Sequence, residues 1–202
     1  KDQNFQWATN GNFTSGNTGF LSNYTYNATS IWNASTYAVG PNPNAVHPNF
    51  GTWGDHTTGT GNYMLVNGSS TGTKILWRQT VSLPPGAQVT MKWWMLTFVS
   101  PAGSLQLKLL GTNIGSTAST PTSTGVWQQT SRSFTAPTSG SAVINLVTIS
   151  GAGSGNDFGI DDISFEYQCE VFDTVWLAPK PDAQIRLDTT SIFGCDSVCF
   201  TI

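Results

Sequence analysis

Apolar and polar residues alternate along most of the chain from Tyr63 onward. Ile75 to Leu83 places Ile75, Trp77, Val81 and Leu83 on one side and Arg78, Thr80 and Ser82 on the other. Val89 to Val99 puts Val89, Met91, Trp93, Met95 and Val99 on one face and Thr90, Lys92, Trp94, Leu96 and Phe98 on the opposite one. Leu105, Leu107 and Leu109 interleave with Gln106 and Lys108. This period of two is that of a strand, whose successive side chains leave on opposite faces. Turn signals separate the runs: Asn67-Gly68 after the short apolar run Tyr63 to Val66, then Pro84-Pro85-Gly86, then a Ser/Thr/Gly/Pro-rich linker from Gly111 to Gly125. Trp127 to Phe134 and Ala142 to Ile149 follow. Roughly eight or nine short strands at this spacing predict an antiparallel β-sandwich.

The first third reads differently. Phe5 to Trp7 predicts a strand, and Asn10 to Phe20 (NGNFTSGNTGF) is dominated by turn residues. Ser22 to Gly61 has little regular pattern, and Asp55 is its one charged residue. An irregular stretch this long inside a compact domain is usually a binding or ion-holding loop.

The stretch from Ser150 to Tyr167 turns from a glycine-rich run into a strand. Read by alternation, Asp161, Ile163, Phe165 and Tyr167 share an inward face, opposite Ile160, Asp162 and Ser164. A carboxylate at the margin of a core costs several kcal/mol unless its charge is answered. A cation or a set of backbone donors would answer Asp161. Adjacent strand residues point apart, which argues against Asp161 and Asp162 as paired glycosidase carboxylates.

Charge divides the chain in two. Residues 1–168 hold six basic and six acidic side chains, whereas residues 169–202 hold two basic and five acidic ones and all three cysteines, Cys169, Cys195 and Cys199. A domain boundary is expected at residue 168. The 34 residues beyond it are too few for a sandwich core of their own. The tail ends in mid-pattern at VCFTI and the chain opens at Lys1 with no signal-like apolar run, which fits a processed piece of a longer protein. Cys195 and Cys199, if on one strand, stand roughly 13 Å apart and cannot bridge; Cys169 with either one is feasible. Charged residues make up only 9% of the chain, against the roughly 25% usual in soluble domains. This composition and the cysteines favour an extracellular or surface setting. An acidic chain without a basic patch excludes nucleic acid as a partner, and no apolar run approaches the ~20 residues that would insert in a membrane.

Candidate chemistry is sparse. Trp53, Asp55 and His56 sit together in the long polar loop. An exposed Trp beside hydrogen-bonding groups suits a sugar ring; alternatively Trp53 plugs the loop onto the sandwich. Trp94 with Lys92 and Arg78 is a second candidate surface, while Trp77, Trp93 and Trp127 read as core. Gly151 to Asp157 is a single glycine-aspartate copy and reads as a flexible hairpin. Gly68 to Gly72 (GSSTG) matches a nucleophile-elbow pattern, but no helix follows it. With two histidines, His47 and His56, at no metalloprotease spacing, no catalytic residue is nominated. The Asn-x-Ser/Thr sequons at Asn12, Asn23, Asn27, Asn33 and Asn67 are largely compositional.

NGNFTSGNTGF near the start and GNDFGIDDISF near residue 160 resemble the two ends of calcium-containing jelly-roll modules of the carbohydrate-binding type. The middle stretch Tyr37 to Ser69 is similar to the version found in very large surface adhesins of gliding bacteria. The likeness covers about residues 10–167. It implies a structural Ca2+ held by Asp161, Asp162, Asn12 and Thr14, with Asp55 as a further ligand. Thr14 stands where those modules usually carry Glu, which implies a weaker site. The tail PDAQIRLDTTSIFGCDSVCFTI resembles the opening of a PKD-type or Ig-like repeat. Asp173-Thr174-Val175, Asp188-Thr189-Thr190 and Asp196-Ser197-Val198 resemble Asp-Ser/Thr-aliphatic glycosylation acceptors, implying O-glycans at Thr174, Thr189 or Ser197.

The expectation is therefore an all-β chain: a jelly-roll sandwich over residues 1–168, then a partial Ig-like domain over 169–202. Its expected role is non-catalytic, binding surface glycans or polysaccharide as one module of a larger surface protein. The alternative is a purely structural tip or spacer of a filament that contacts other protein subunits.

Overall fold

The computed structural model describes residues 2–149, 151 and 155–169. The expected Ig-like strands, the acceptors Thr174, Thr189 and Ser197, and Cys195 and Cys199 lie outside the described residues. Within them the chain forms β1 (Asp2–Trp7), β2 (Thr25–Tyr26), β3 (Thr36–Gly40), β4 (Tyr63–Asn67), β5 (Lys74–Ser82), β6 (Gln88–Val99), β7 (Ser104–Leu109), β8 (Thr112–Ser119), β9 (Trp127–Thr135), β10 (Ser141–Thr148) and β11 (Asp157–Cys169). One turn of 3-10 helix spans Pro43–Ala45. Among the described residues no helix is long and apolar enough to cross a membrane.

The strands make two facing sheets, as the alternation requires. One runs β2-β3-β4-β11-β6-β9, with β1 also paired to β11; the other runs β5-β10-β7-β8. β4 pairs with Phe158 to Ile160 of β11, and β1 pairs with the stretch from Ser164 to Cys169. The chain is thus an all-β jelly-roll sandwich. Three strands escaped the sequence reading, β2, β3 and β8. β8 lies in the stretch read as a linker because TNIGSTAS, mostly exposed, has no apolar face to reveal it. β3 lies in the stretch read as irregular, its first three residues all buried.

The main core lies between the sheets. Met91, Trp93 and Met95 of β6 meet Trp77 and Val81 of β5, Leu105 and Leu107 of β7, and Ile144 and Leu146 of β10. A second, smaller core covers the outer face of the long sheet: Ile31 and Phe50 from the irregular stretch pack on Tyr63, Leu65, Leu96 and Phe98, with Trp53 and Trp127 against them. β4 consequently faces a core on both sides, Met64 and Val66 inward and Tyr63 and Leu65 outward. That explains why it reads as an unbroken apolar run.

β11 also serves both layers, through a bulge. Asp161 pairs with Trp94 and Ser164 with Lys92, so three steps on β11 oppose two on β6, and Asp162 takes φ 49°. The extra residue reverses the alternation. Phe158 and Ile160 point to the main core before it, and Ile163, Phe165 and Tyr167 after it. Asp161 therefore does not share the inward face of Ile163.

At one margin of the sandwich Arg132 of β9 reaches across to the other sheet. Its Nε donates to the carbonyl of Ser116 (2.9 Å) and its Nη2 to that of Thr117 (3.1 Å), both on β8.

Candidate functional site

The loop from Gly51 to Gly61 crosses the outer face of the long sheet and is locked from within. Both oxygens of buried Asp55 are used: Oδ2 accepts from the Thr58 amide (2.9 Å), and Oδ1 from the Thr58 hydroxyl (2.8 Å) and the Gly61 amide (2.7 Å). Burial raises the Asp55 pKa, but these donors outweigh it and hold the carboxyl below its ordinary value. Two strand side chains dock the loop. The Tyr63 hydroxyl donates to the Trp53 carbonyl (2.8 Å) and the Trp127 indole to the Gly54 carbonyl (3.1 Å).

This docking brings His56 over the β11 bulge. The His56 amide donates to Asp161 Oδ2 (3.0 Å), while its Nδ1 lies 2.7 Å from Asp162 Oδ2. The Thr57 hydroxyl donates to the same Asp162 oxygen (2.5 Å), and the Asp162 amide donates to Asp161 Oδ1 (2.9 Å). The two neighbouring carboxylates thus meet at one histidine, which simple alternation forbids and the bulge permits. Asp161 is only 1% exposed. Burial, followed by the adjacent charge of Asp162, pushes its carboxyl up to about 8.

The His56 imidazole lies flat on the Trp94 indole, with centroids 3.6 Å apart and planes at 19°, and meets Trp127 edge-on at 6.0 Å. Trp94 and Trp127 are both half-buried. Gln129 and Ser131 of β9 stand opposite Trp94 and Lys92 of β6 and are exposed. Lys92 closes an ion pair with Glu166 at 2.6 Å. The result is an aromatic corner at the end of a polar strip, fixed by buried carboxylates.

The sequence-predicted residues divide. His56 and Trp94 come together, with Asp161 and Asp162 beneath them. Trp53 instead packs down: its ring stacks on Phe98 at 5.9 Å and 10°, and Gly51 and Gly125 lie so close to it that a Cβ on either would clash. Asp55 serves the loop's own turn. Arg78, grouped with Trp94 by the sequence reading, belongs to the other sheet and donates to Asn145 (2.8 Å). Trp127 and Thr57 were missed. Trp127 shares its strand parity with Gln129, Ser131 and Ser133 rather than with buried Phe134, and that pattern was the available signal.

The calcium set requires the same scrutiny. Asn12 is exposed, and its Oδ1 accepts from the Thr14 amide (3.4 Å) and hydroxyl (3.0 Å) in a local turn. Both oxygens of Asp161 face amides, and among the described residues no group of three or more His, Cys, Asp or Glu is placed to hold a metal. Asp161 and Asp162 thus accept from N–H and O–H donors of the protein, and Asn12 and Thr14 bond each other. The first turn does meet the last strand, but through backbone: the Ala8 amide donates to the Ile163 carbonyl (3.1 Å) and the Ile163 amide to that of Gly11 (3.0 Å).

Comparison with solved structures supports the fold. The chain is similar to a Stig cyclase, Fisc, from Fischerella sp. TAU, with 13% identity, a TM-score of 0.58, and coverage of 83% of this chain and 98% of that one. It is similar to TmCBM61, solved in complex with β-1,4-galactotriose, at 18% identity and TM-score 0.51, covering 79% of this chain and 97% of that one. A family 35 carbohydrate-binding module from Clostridium thermocellum matches at 8% identity and TM-score 0.50, covering 82% of this chain and 98% of that one. At these identities the likeness concerns the fold. None of the curated proteins compared with the chain matches it. A family profile does, the MAM domain (meprin/A5/mu), aligned to residues 11–170. That span takes in the first turn, the docked loop and the bulged strand, and the chain belongs to the MAM domain family.

Proposed function

We propose that this domain is a non-catalytic glycan-binding module of a large secreted adhesin, and that the corner of Trp94, His56 and Trp127 is where the sugar sits. The observation that carries this reading is the half-exposed Trp94 with one face held flat by His56. The ring keeps part of its surface open to solvent, and the exposed Gln129 and Ser131 lie alongside. A pyranose presents C–H groups to an aromatic face and hydroxyls to amides and carboxylates around it. Rigid aromatics with few rotamers to freeze suit that task. The occurrence of this fold in carbohydrate-binding modules supports the ligand class. A cell-surface setting, with other domains or subunits of a longer surface protein as neighbours, is part of the same reading and is supported by the low charge content of the chain.

The test is a glycan array followed by calorimetry on the best hit. Binding is expected to fall at least about tenfold in Trp94→Ala and to weaken in His56→Ala. Flat arrays, or full affinity in Trp94→Ala, would overturn the reading and leave a structural spacer.

A further inference from the structure

Trp32 is 57% exposed, the most exposed aromatic ring among the described side chains. It is nevertheless firmly held. Its indole stacks on His47 (centroids 4.6 Å, planes 11°), His47 stacks on Phe50 (4.0 Å, 11°), and Phe50 packs on Phe98 at 5.1 Å inside the outer core. The backbone beneath is pinned as well. The Ile31 amide donates to the Val46 carbonyl (3.0 Å), and the Asn67 amide group donates to the carbonyls of Ile31 (2.8 Å) and Trp32 (3.3 Å). Asn44 fastens the other side by donating to the carbonyls of Phe50 (2.8 Å) and Pro48 (3.1 Å). With His47 covering one indole face, the exposure falls on the other.

The surroundings select the ligand. The segment that carries Trp32 brings no charge of its own: from Gln3 to Gly54 the sequence has no Asp, Glu, Lys or Arg. His47 does not supply a charge either, since burial holds its pKa below the ordinary value. Asn33 and Asn49 neighbour Trp32 and His47 in the chain, are exposed, and make no side-chain hydrogen bond among the described residues. An oriented, exposed aromatic ring on a segment rich in amides and without charge is the chemistry that recognises a neutral pyranose.

We propose that Trp32 is a second carbohydrate-binding platform for neutral glycans, independent of the Trp94 corner. The proposal takes its ligand class from the glycan-binding reading but not its site. Exposed Trp32 and half-buried Trp94 stand at opposite ends of one aromatic series that passes through Phe50, Phe98, Tyr63 and Trp127, each backed by a histidine. Two such platforms on one module would raise its hold on a polysaccharide through avidity, without new contacts at either site.

The experiment titrates the full chain with neutral trisaccharides (cellotriose, xylotriose, laminaritriose, mannotriose and β-1,4-galactotriose) and follows the indole N–H resonances by NMR. The Trp32 signal is assigned by its loss in Trp32→Phe, a substitution that keeps a ring on His47. At least one sugar is expected to shift the Trp32 signal, and to do so equally in Trp94→Ala. Movement at Trp32 alone supports this platform and counts against the Trp94 corner. Movement at Trp94 alone overturns this platform while the other reading stands, and movement at neither overturns both.

Discussion

The imidazole of His56 rests on the indole of Trp94 at 3.6 Å while its Nδ1 faces Asp162 at 2.7 Å. One side chain therefore couples the buried carboxylate of Asp162 to a half-buried aromatic ring. Removing it should cost both interactions. His56→Ala is expected to destabilise the domain by about 2–4 kcal/mol in urea denaturation. In a double-mutant cycle with Trp94→Ala, about 0.5–1.5 kcal/mol should appear as coupling between the rings. A coupling near zero would show that the stack is incidental.

Stability should fall as pH rises. Asp161, pushed up to about 8 by burial and then by Asp162, and Asp157, pushed up to about 6 by burial, are both raised above 3.8. A carboxyl whose pKa is higher folded than unfolded contributes stability that is complete below its unfolded pKa and is lost as pH climbs through its folded one. Melting temperature should accordingly decline from about pH 4, more steeply up to about pH 6 and more gently from there to about pH 8, above which it levels off. Asp157→Asn should reduce the slope below about pH 6, and Asp161→Asn should abolish the decline above it. A profile flat over this interval would contradict the assignment.

Divalent cations should make little difference. Both oxygens of Asp161 face amides and Asp162 faces His56 and Thr57, so an ion would have to displace donors already in place. Thermal denaturation in excess chelator and in millimolar calcium should give the same midpoint. A rise of several degrees with calcium would mean that the turn at Asn12 and the bulge rearrange around an ion.

Two glycines of the first turn should differ in what their substitution costs. A Cβ on Gly11 would run into the carbonyl oxygen of Ile163, the point where the turn is tied to β11. Gly11→Ala should cost at least about 3 kcal/mol, since backbone must move. Gly16 has φ 69° with open space around it, so Gly16→Ala should cost only about 1–2 kcal/mol of backbone strain. Chemical denaturation of both variants checks the contrast.

Much of the sandwich was legible because strands such as β6 write their two faces into the sequence. The alternation of Met91, Trp93 and Met95 against Lys92 and Trp94 is the buried and half-buried pattern observed. What failed was local. One residue at Asp162 changes the phase of β11, and a bulge leaves no mark in a hydrophobicity pattern when the extra residue is an aspartate beside another aspartate. Trp53 and Trp94 looked alike as isolated aromatics. Only the long-range docking of the loop decides that the first stacks on Phe98 and the second on His56, both rings being half-buried. Asn12 and Asp161 came together in the expectation through a resemblance, and the fold gives each its own nearby donors.

Arg132 bears on how the module lives among copies of itself. An outermost strand with bare carbonyls invites another chain to add on, and β8 and β9 are each the last of their sheet. By seating one guanidinium on two β8 carbonyls, the protein blunts a sticky margin with a plug that hydrophobic association cannot easily dislodge. A domain held at high concentration would gain from such a guard, and its loss would show as slow self-assembly long before any loss of shape.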